Sequence, residues 1–210
     1  RVLFRSQHVG YRWGNANHTA PSYTFPDNNF GTFTSVARSE RQTPAGVVGG
    51  AFAGFNTLPT PNLLVGVEAD VSAGRHGDST TSRFVSTDGV VAQRNSRVTL
   101  NWQSTLRARV GYVSGHWLAY VTGGGAVTDV KWEETITTSL ATLRAGASDT
   151  RWGGVVGAGI EHFWQPNMLV RVQYLYEHFG NMTVPLAGTT QTGAIKIRAQ
   201  KLTVGFGYKF

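Results

Sequence analysis

The sequence feature that most constrains this fold is a strict two-residue alternation of apolar with small or polar side chains near the C-terminus. The apolar positions are Leu202, Val204, Phe206, Tyr208 and Phe210, and the residues between them are Lys201, Thr203, Gly205, Gly207 and Lys209. Because successive side chains of a β-strand point to opposite faces, this spacing predicts a strand with one apolar and one polar face. A strand between lipid and a narrow polar interior requires this pattern.

The same alternation recurs along the chain. Four more segments follow it clearly, with their charges on the polar face: Leu63 to Ser72, Thr105 to Tyr112, Val156 to Trp164 and Val170 to Glu177. Three segments follow it less cleanly: His8 to Trp13, Val47 to Phe55 and Trp117 to Val130. In the last of these the choice of inward face stays open, because the alternation is lost around three consecutive glycines, Gly123 to Gly125.

The connections between these eight segments alternate in length. Long connections lie near residues 15–44, 75–100, 131–149 and 181–197, and short ones at Thr57 to Pro61, Ser114 to His116 and Gln165 to Asn167. Four long and three short connections fit eight antiparallel strands with both termini on the short-turn side, which is the asymmetry of outer-membrane barrels. The long connections are rich in Asn, Asp, Ser, Thr and Gly, so we predict that they are mostly irregular.

Composition supports one compact all-β unit over residues 1–210. The chain has 26 glycines, 11% aromatic residues and only 15% charged residues, against roughly 25% in soluble domains. No apolar run approaches the length of a membrane-spanning helix, and the mean hydropathy is −0.18; barrel strands carry a weak hydropathy signal. The chain has no cysteine, which excludes a disulfide framework and a thiolate metal site. It does not open on a signal peptide, so we expect a mature or truncated sequence.

The net charge of +7 raises the question of nucleic-acid binding. The basic residues are dispersed rather than clustered, so we expect no nucleic-acid partner. Many lie in the long connections, where a solvated or lipopolysaccharide-facing surface explains them: Arg38, Arg41, Arg75, Arg83, Arg94, Arg97 and Arg144.

Four segments resemble a known family: His8 to Asn17, Gly157 to Asn167, Val172 to Glu177 and Thr203 to Phe210. They are similar to the porin-like outer-membrane surface antigens of alphaproteobacteria, which are related to the membrane domain of outer membrane protein A. The resemblance covers the chain from His8 to Phe210. Its most specific part is the Gly-Ala-Gly-Ile-Glu strand followed by the Tyr-Leu-Tyr strand.

The resemblance implies an eight-stranded antiparallel up-and-down transmembrane β-barrel in the bacterial outer membrane, with a role in envelope integrity or surface contact. It also implies that Phe206, Tyr208 and Phe210 form a signal for the barrel-assembly machinery. Two departures stand out. Residues 1–7 lack the aromatic-glycine start of the family, which predicts a shortened or altered first strand, and Phe52 occupies a position that is more often polar.

The alternation predicts a charged interior. Nine charged residues share the inward face of the predicted strands: Arg12, Glu68, Asp70, Arg107, Arg109, Glu161, Arg171, Glu177 and Lys201. The interior of an eight-stranded barrel is just wide enough to be filled by side chains. We therefore expect these charges to pair and to plug the lumen. The alternative is a narrow ion pathway gated by one of the pairs.

Aromatic residues cluster near the predicted strand ends, where rings prefer the boundary between headgroups and hydrocarbon. This predicts an aromatic girdle formed by Tyr11, Trp13, Phe55, Trp102, Tyr112, Trp117, Trp152 and Trp164. We expect a monomer whose partners are outer-membrane lipid and lipopolysaccharide.

Three other functions receive little support from the sequence. Catalysis would need a nucleophile near Glu177 and His178, and no Ser follows at a motif spacing, so we expect no enzyme. Six unclustered histidines predict no metal site, and we expect no cofactor. Haem binding by the loop residues His18, Tyr23 and His76 stays a hypothesis that rests on the family resemblance.

Overall fold

The computed structural model describes residues 2–27, 31–35, 37–85, 91–138, 142–186 and 190–209, and it is built from antiparallel strands. Within these residues no helix is long and apolar enough to span a membrane. The strands are β1 (Val2–Ala20), β2 (Tyr23–Asp27), β3 (Gly31–Ser35), β4 (Arg38–Gln42), β5 (Ala45–Thr60), β6 (Leu63–Val85), β7 (Val91–Ser114), β8 (Trp117–Thr137), β9 (Thr142–Gln165), β10 (Met168–Pro185) and β11 (Thr192–Lys209).

The strands close into an eight-membered ring. Each of β5 to β11 pairs with its neighbour in sequence, β1 pairs with β5, and β11 returns to β1. Strand β4 continues β5 upward along β1, interrupted at Thr43 and Pro44, where the Pro44 carbonyl still accepts the Gly14 N–H at 2.9 Å. The predicted eight-stranded barrel is confirmed. A separate hairpin, β2–β3, branches from the first long connection.

One end of the ring carries tight turns at Pro61–Asn62, Gly115–His116 and Pro166–Asn167. All three lie within or next to the predicted short connections, although the first is displaced toward β6 because β5 continues to Thr60. Gly115 has φ of +58°, a left-handed conformation that favours glycine in a two-residue hairpin. In outer-membrane barrels the tight turns lie on the periplasmic side, so we expect this end to be periplasmic.

The prediction that the long connections are mostly irregular is wrong. Strands β6 to β11 continue through most of residues 75–100, 131–149 and 181–197, and β1 and β4 occupy part of residues 15–44. The prediction of a shortened first strand is also wrong, because β1 pairs with β5 from Val2 onward. An exposed strand with polar outward residues has the composition of a loop, and this similarity explains the first error.

The lower part of the barrel has the faces that the alternation predicts. Val67, Leu106, Val121 and Val204 are among the apolar residues exposed on the outer wall. Aromatic side chains bound this apolar band above and below; Trp102 and Tyr112 are ten residues apart on β7. A tilted transmembrane strand needs about 9–11 residues, so the band matches the thickness of the hydrocarbon.

Above the band the polarity of the wall inverts. On β11 the outward residues change from Leu202 and Val204 to Lys196 and Arg198, while the inward residues change from Lys201 to Ile195 and Ile197. Bulges in β6, β7 and β10 lie near this level, between Ala73 and His76, Leu100 and Gln103, and His178 and Asn181. The upper wall thus faces water and encloses an apolar interior.

The inversion explains why the inward face of the segment 117–130 could not be chosen from sequence. Even-numbered residues of β8 face inward throughout, from Leu118 and Tyr120 to Val130 and Trp132. The outward odd positions change from Ala119 and Val121 to Asp129 and Lys131, because the outer environment changes from lipid to water. The strand keeps the same inward and outward positions across Gly123 to Gly125, and only the polarity of the residues at those positions changes.

In the upper part the ring divides into two sheets. Among the described residues, no backbone pairing joins β9 to β10 above Gly154 and His178, and none joins β4 to β6. Two four-stranded sheets remain, β10-β11-β1-β4 and β6-β7-β8-β9. Both contribute to one apolar core, which contains Ala16, Val98, Leu100, Ala126, Val130, Trp132, Val155, Leu175, Phe179, Met182, Val184, Ile195 and Ile197. The end opposite the tight turns is therefore a β-sandwich on top of a barrel. We expect this end to be extracellular and call it the extracellular sandwich.

Candidate lumenal charge site

The lower lumen holds two carboxylates and three guanidinium groups at its centre. Glu68 on β6 and Glu161 on β9 face Arg107 and Arg109 on β7 and Arg171 on β10, and all five side chains are at most 1% exposed. They come together because each lies at an inward position at the same height of the narrow ring. We call these five residues the lower ion cluster.

Arg171 bridges the two carboxylates, with Nη2 at 2.5 Å from Glu68 Oε2 and 2.6 Å from Glu161 Oε1. Arg109 Nη1 lies 2.6 Å from Glu161 Oε1, and its Nε donates to Asn56 Oδ1 at 2.9 Å. Arg107 pairs with Glu68. Buried charges are tolerated only when paired and hydrogen-bonded, and here the pairs link strands across the lumen.

Aromatic rings surround the excess positive charge of this cluster. Arg171 lies 3.9 Å from the centre of the Phe52 ring, and Arg109 lies 4.5 Å from that of Phe4. The Tyr120 ring is 5.1 Å from Arg109 and 5.2 Å from Arg171. Ring faces attract cations, so the unusual Phe52 contributes to the charge site without a polar group. Gly159 leaves space for the Tyr120 ring, which a Cβ would meet.

Two further pairs lie above the lower ion cluster. Lys201 Nζ is 3.0 Å from Asp70 Oδ1 and 3.1 Å from Ser72 Oγ. Arg12 Nη2 is 3.0 Å from Glu177 Oε2, and Gln103 Nε2 donates to Glu177 Oε1 at 2.5 Å. The structure thus places all nine sequence-predicted charged residues in the lumen, in three groups at successive heights.

Sequence reasoning missed a second ion cluster, inside the extracellular sandwich. Glu134 Oε1 lies 2.9 Å from Arg38 Nη2 and 3.2 Å from Arg94 Nε, and Glu40 lies 3.6 Å from Arg38 and 3.9 Å from Arg94. The prediction of a solvated or lipopolysaccharide-facing position is wrong for Arg38 and Arg94, which face inward. It fits Arg41, Arg83, Arg97 and Arg144, which are exposed, while the side chain of Arg75 lies outside the described residues. One sequence signal could have revealed this cluster: around Trp132 the residues alternate as in a strand, with polar residues at the outward positions and apolar ones at the inward positions.

The predicted girdle residues all point away from the lumen. Tyr11, Trp13, Trp102 and Trp152 lie at the upper edge of the apolar band, and Phe55, Tyr112, Trp117 and Trp164 lie at the lower edge. Neighbouring rings pack together, with Tyr11 and Trp13 stacked at 6.1 Å and Trp117 stacked on His162 at 4.3 Å. Phe206 and Tyr208 are exposed on the outer wall, and Phe210 lies outside the described residues.

The residues named in the haem and enzyme hypotheses do not lie where those hypotheses require. His18 and His76 are buried and face inward, so they are not exposed loop residues, and the side chain of Tyr23 lies outside the described residues. Glu177 faces the lumen, whereas the adjacent His178 faces the outer wall. No group of three metal-binding side chains is found in the part of the chain that the structure describes.

The buried His18 gives the extracellular sandwich a pH dependence. It contacts Trp132 at a ring distance of 5.8 Å, and burial, with Arg38 and Arg94 nearby, lowers its pKa from 6.5 to about 4. The unfolded chain binds a proton at His18 before the folded chain does, so the stabilising contribution of the neutral ring is present above pH 6.5 and is lost as the pH falls toward 4.

We expect His18→Gln to weaken the dependence of the urea unfolding midpoint on pH between 6.5 and 4, because the glutamine side chain does not titrate. The measurement is urea unfolding of the detergent-folded protein across that range. His116→Gln, at an exposed periplasmic turn, is the matched control and should retain the wild-type slope. Equal slopes for wild type and His18→Gln would contradict the assignment.

Comparison with known proteins places this architecture in a family. The family model for the outer membrane protein beta-barrel domain matches residues 6–210. The chain belongs to this family of outer-membrane β-barrels. Like the other members, this barrel is a protein of the bacterial outer membrane.

Two relatives of this outer-membrane barrel come from alphaproteobacteria. The 25 kDa outer-membrane immunogenic protein of Brucella abortus is 31% identical over 201 residues, which cover 91% of this chain and 82% of that protein. The 22 kDa outer membrane protein of Rhizobium leguminosarum is 31% identical over 172 residues, which cover 82% and 70%. The predicted resemblance to alphaproteobacterial surface antigens is confirmed.

A solved structure shares the fold of this outer-membrane barrel. The crystal structure of the outer membrane protease OmpT from Escherichia coli superposes with a TM-score of 0.55 at 9% identity, covering 100% of this chain and 97% of that chain. This likeness concerns the fold alone.

Proposed function

We propose that this outer-membrane barrel is a non-catalytic, sealed structural protein that supports the envelope and displays its extracellular sandwich at the cell surface. The observation that carries the proposal is the stacking of buried ion pairs along the lumen beneath an apolar core. Arginine, lysine and carboxylate side chains pair across the axis in the membrane part, and the sandwich core closes the axis above them.

The ion pairs support sealing through their connectivity. Glu68 on β6 and Arg171 on β10 belong to strands on different sides of the ring, as do Asp70 on β6 and Lys201 on β11. An ion that entered the lumen would have to displace these buried pairs, and breaking such a pair is costly. The pairs therefore act both as cross-links and as a barrier.

The sandwich supports sealing by a different mechanism. Apolar side chains from both sheets, such as Val98, Val130, Met182 and Ile195, meet between them. An ion that crossed this layer would lose its hydration without finding polar partners. The proposal therefore has two independent barriers in series, one ionic and one apolar.

The outer surface supports a display role. Strand β7 extends eleven residues above Trp102, or roughly 35 Å along the strand at about 3.3 Å per residue. We propose that the barrel acts as a monomer surrounded by outer-membrane lipid and lipopolysaccharide, with Phe206 and Tyr208 part of its assembly signal. Catalysis finds no support in the opposite orientations of Glu177 and His178.

Planar-bilayer recording tests the seal. Purified protein, shown to be folded by its heat-dependent gel mobility, should give no sizeable conductance steps, whereas a general diffusion porin in the same bilayers should give them. Frequent steps from the pure folded protein would overturn the sealed lumen. A deletion strain that is no more sensitive to detergent than its parent would overturn the envelope role.

A further inference from the structure

One outer wall of the extracellular sandwich carries two rows of polar side chains without any carboxylate. The backbone register of sheet β10-β11-β1-β4 aligns Asn181, Lys196, Asn17 and Arg41 in the upper row. It aligns His178, Arg198 and Asn15 in the row below. Adjacent strands are about 4.8 Å apart, so the three cations lie within reach of one ligand headgroup. We call Arg41, Lys196 and Arg198 the basic wall.

Within the part of the chain that the structure describes, the cations of the basic wall have no counter-ion. Arg41, Lys196 and Arg198 are exposed, and none forms an ion pair within the described residues. The only acidic residue in these upper strand segments is Glu40, which lies near Arg38 and Arg94 on the inner side. An uncompensated positive surface attracts an external anion.

The opposite wall differs in its charges. On sheet β6-β7-β8-β9 the exposed Arg97 lies directly across from Glu133, and Asp129 lies two residues from Lys131 on β8. Asp129 also accepts a hydrogen bond from Asn101 at 3.0 Å. Arg97 and Lys131 on that wall thus have acidic neighbours, unlike the three cations of the basic wall.

The height of the basic wall defines its environment. The next row down contains Tyr176, Gln200 and Trp13, and the Trp13 ring lies 6.4 Å from that of Tyr174. Such rings occupy the boundary of the hydrocarbon. Arg198 and Lys196 therefore lie at the level of the lipid headgroups on the extracellular side.

We propose that the basic wall is a binding site for the phosphate groups of lipopolysaccharide, with the amides of Asn15, Asn17 and Asn181 as additional donors. Guanidinium groups bind phosphate in a bidentate manner, and lysine adds a point charge. The proposal relies on the orientation assumed in the proposed function, with the sandwich outside the cell, but not on a sealed lumen.

The test is binding of lipid A in detergent micelles to the folded full-length protein. Each cation near a charged membrane surface contributes enough that losing three weakens binding on the order of a hundredfold. We expect this loss, or more, for the variant Arg41→Glu, Lys196→Glu, Arg198→Glu. The matched control, Arg97→Glu with Lys131→Glu on the opposite wall, should retain most of the wild-type affinity.

Heat-dependent gel mobility establishes that both variants are folded. If the triple variant fails to fold, the single substitutions Lys196→Gln and Arg198→Gln replace it, each with a several-fold loss expected. Equal binding of lipid A lacking its phosphates would overturn the proposal. So would inorganic phosphate binding as tightly as lipid A, which would indicate a site for the free anion. A conducting lumen with unchanged lipid A binding would overturn the seal alone.

Discussion

Glu68→Gln should destabilise the folded barrel by about 3–5 kcal/mol, the usual cost of removing one partner from a buried ion pair. The substitution leaves Arg107, Arg109 and Arg171 buried with Glu161 as the one remaining carboxylate of the lower ion cluster. We expect the loss as a lower urea midpoint for unfolding of the detergent-folded protein, with an unchanged slope.

Glu133→Gln is the matched control for this substitution, because Glu133 is exposed on the outer wall and its replacement should change the free energy of unfolding by less than about 0.5 kcal/mol. Adding Arg107→Gln to Glu68→Gln should cost less than the sum of the two single substitutions, since the pair is then removed together. Equal losses for Glu68→Gln and Glu133→Gln would show that the cluster does not stabilise the barrel.

Trp132→Ala should cost about 3–5 kcal/mol by leaving a large cavity in the extracellular sandwich. Trp132 is 1% exposed and packs among residues from both sheets. Because the sandwich lies above the membrane band, we expect the damage to remain local. Added protease should cleave the upper strands of the folded variant and leave a membrane-protected fragment, whereas the wild type should resist cleavage.

Lys131→Ala is the matched control, because the side chain of Lys131 lies on the same strand but points outward. Lys131 is exposed beside Trp132, so its loss should change the free energy of unfolding by less than about 0.5 kcal/mol. Similar protease sensitivity in the two variants would contradict the inverted polarity of the upper wall. Global loss of heat-dependent gel mobility in Trp132→Ala would contradict the local character of the damage.

The membrane half of this fold could be predicted from sequence because two constraints coincide there. Lipid demands apolar side chains outside, and the narrow lumen accepts polar ones, so residues such as Val67 and Glu68 alternate on most of these strands. Strand number and topology followed from counting such segments. The extracellular half lacks this constraint, because water accepts the same polar residues on a strand that it accepts on a loop.

The ion pairs, too, could be predicted from sequence only in part. Sequence identified which charged residues face inward, but not which of them meet, because pairing depends on strand stagger. Arg171 on β10 reaches Glu68 on β6, 103 residues away along the chain. The Arg38, Arg94 and Glu134 cluster was missed for a stronger reason: its strands were interpreted as irregular loops, and an inward face has no meaning until a strand is assigned.

The division of the ring into two sheets also affects how the molecule can move. Separation of the two sheets above Gly154 and His178 would break side-chain contacts, including the Arg38–Glu134 ion pair, and expose apolar groups to water. Within the described residues it would break no ladder of backbone hydrogen bonds. Opening the ring within the membrane would leave N–H and C=O groups bare in hydrocarbon, where no water can satisfy them. We therefore expect the two sheets of the outer end to separate more easily than the strands of the membrane part. Amide exchange should be fastest along the upper edges of β4, β6, β9 and β10.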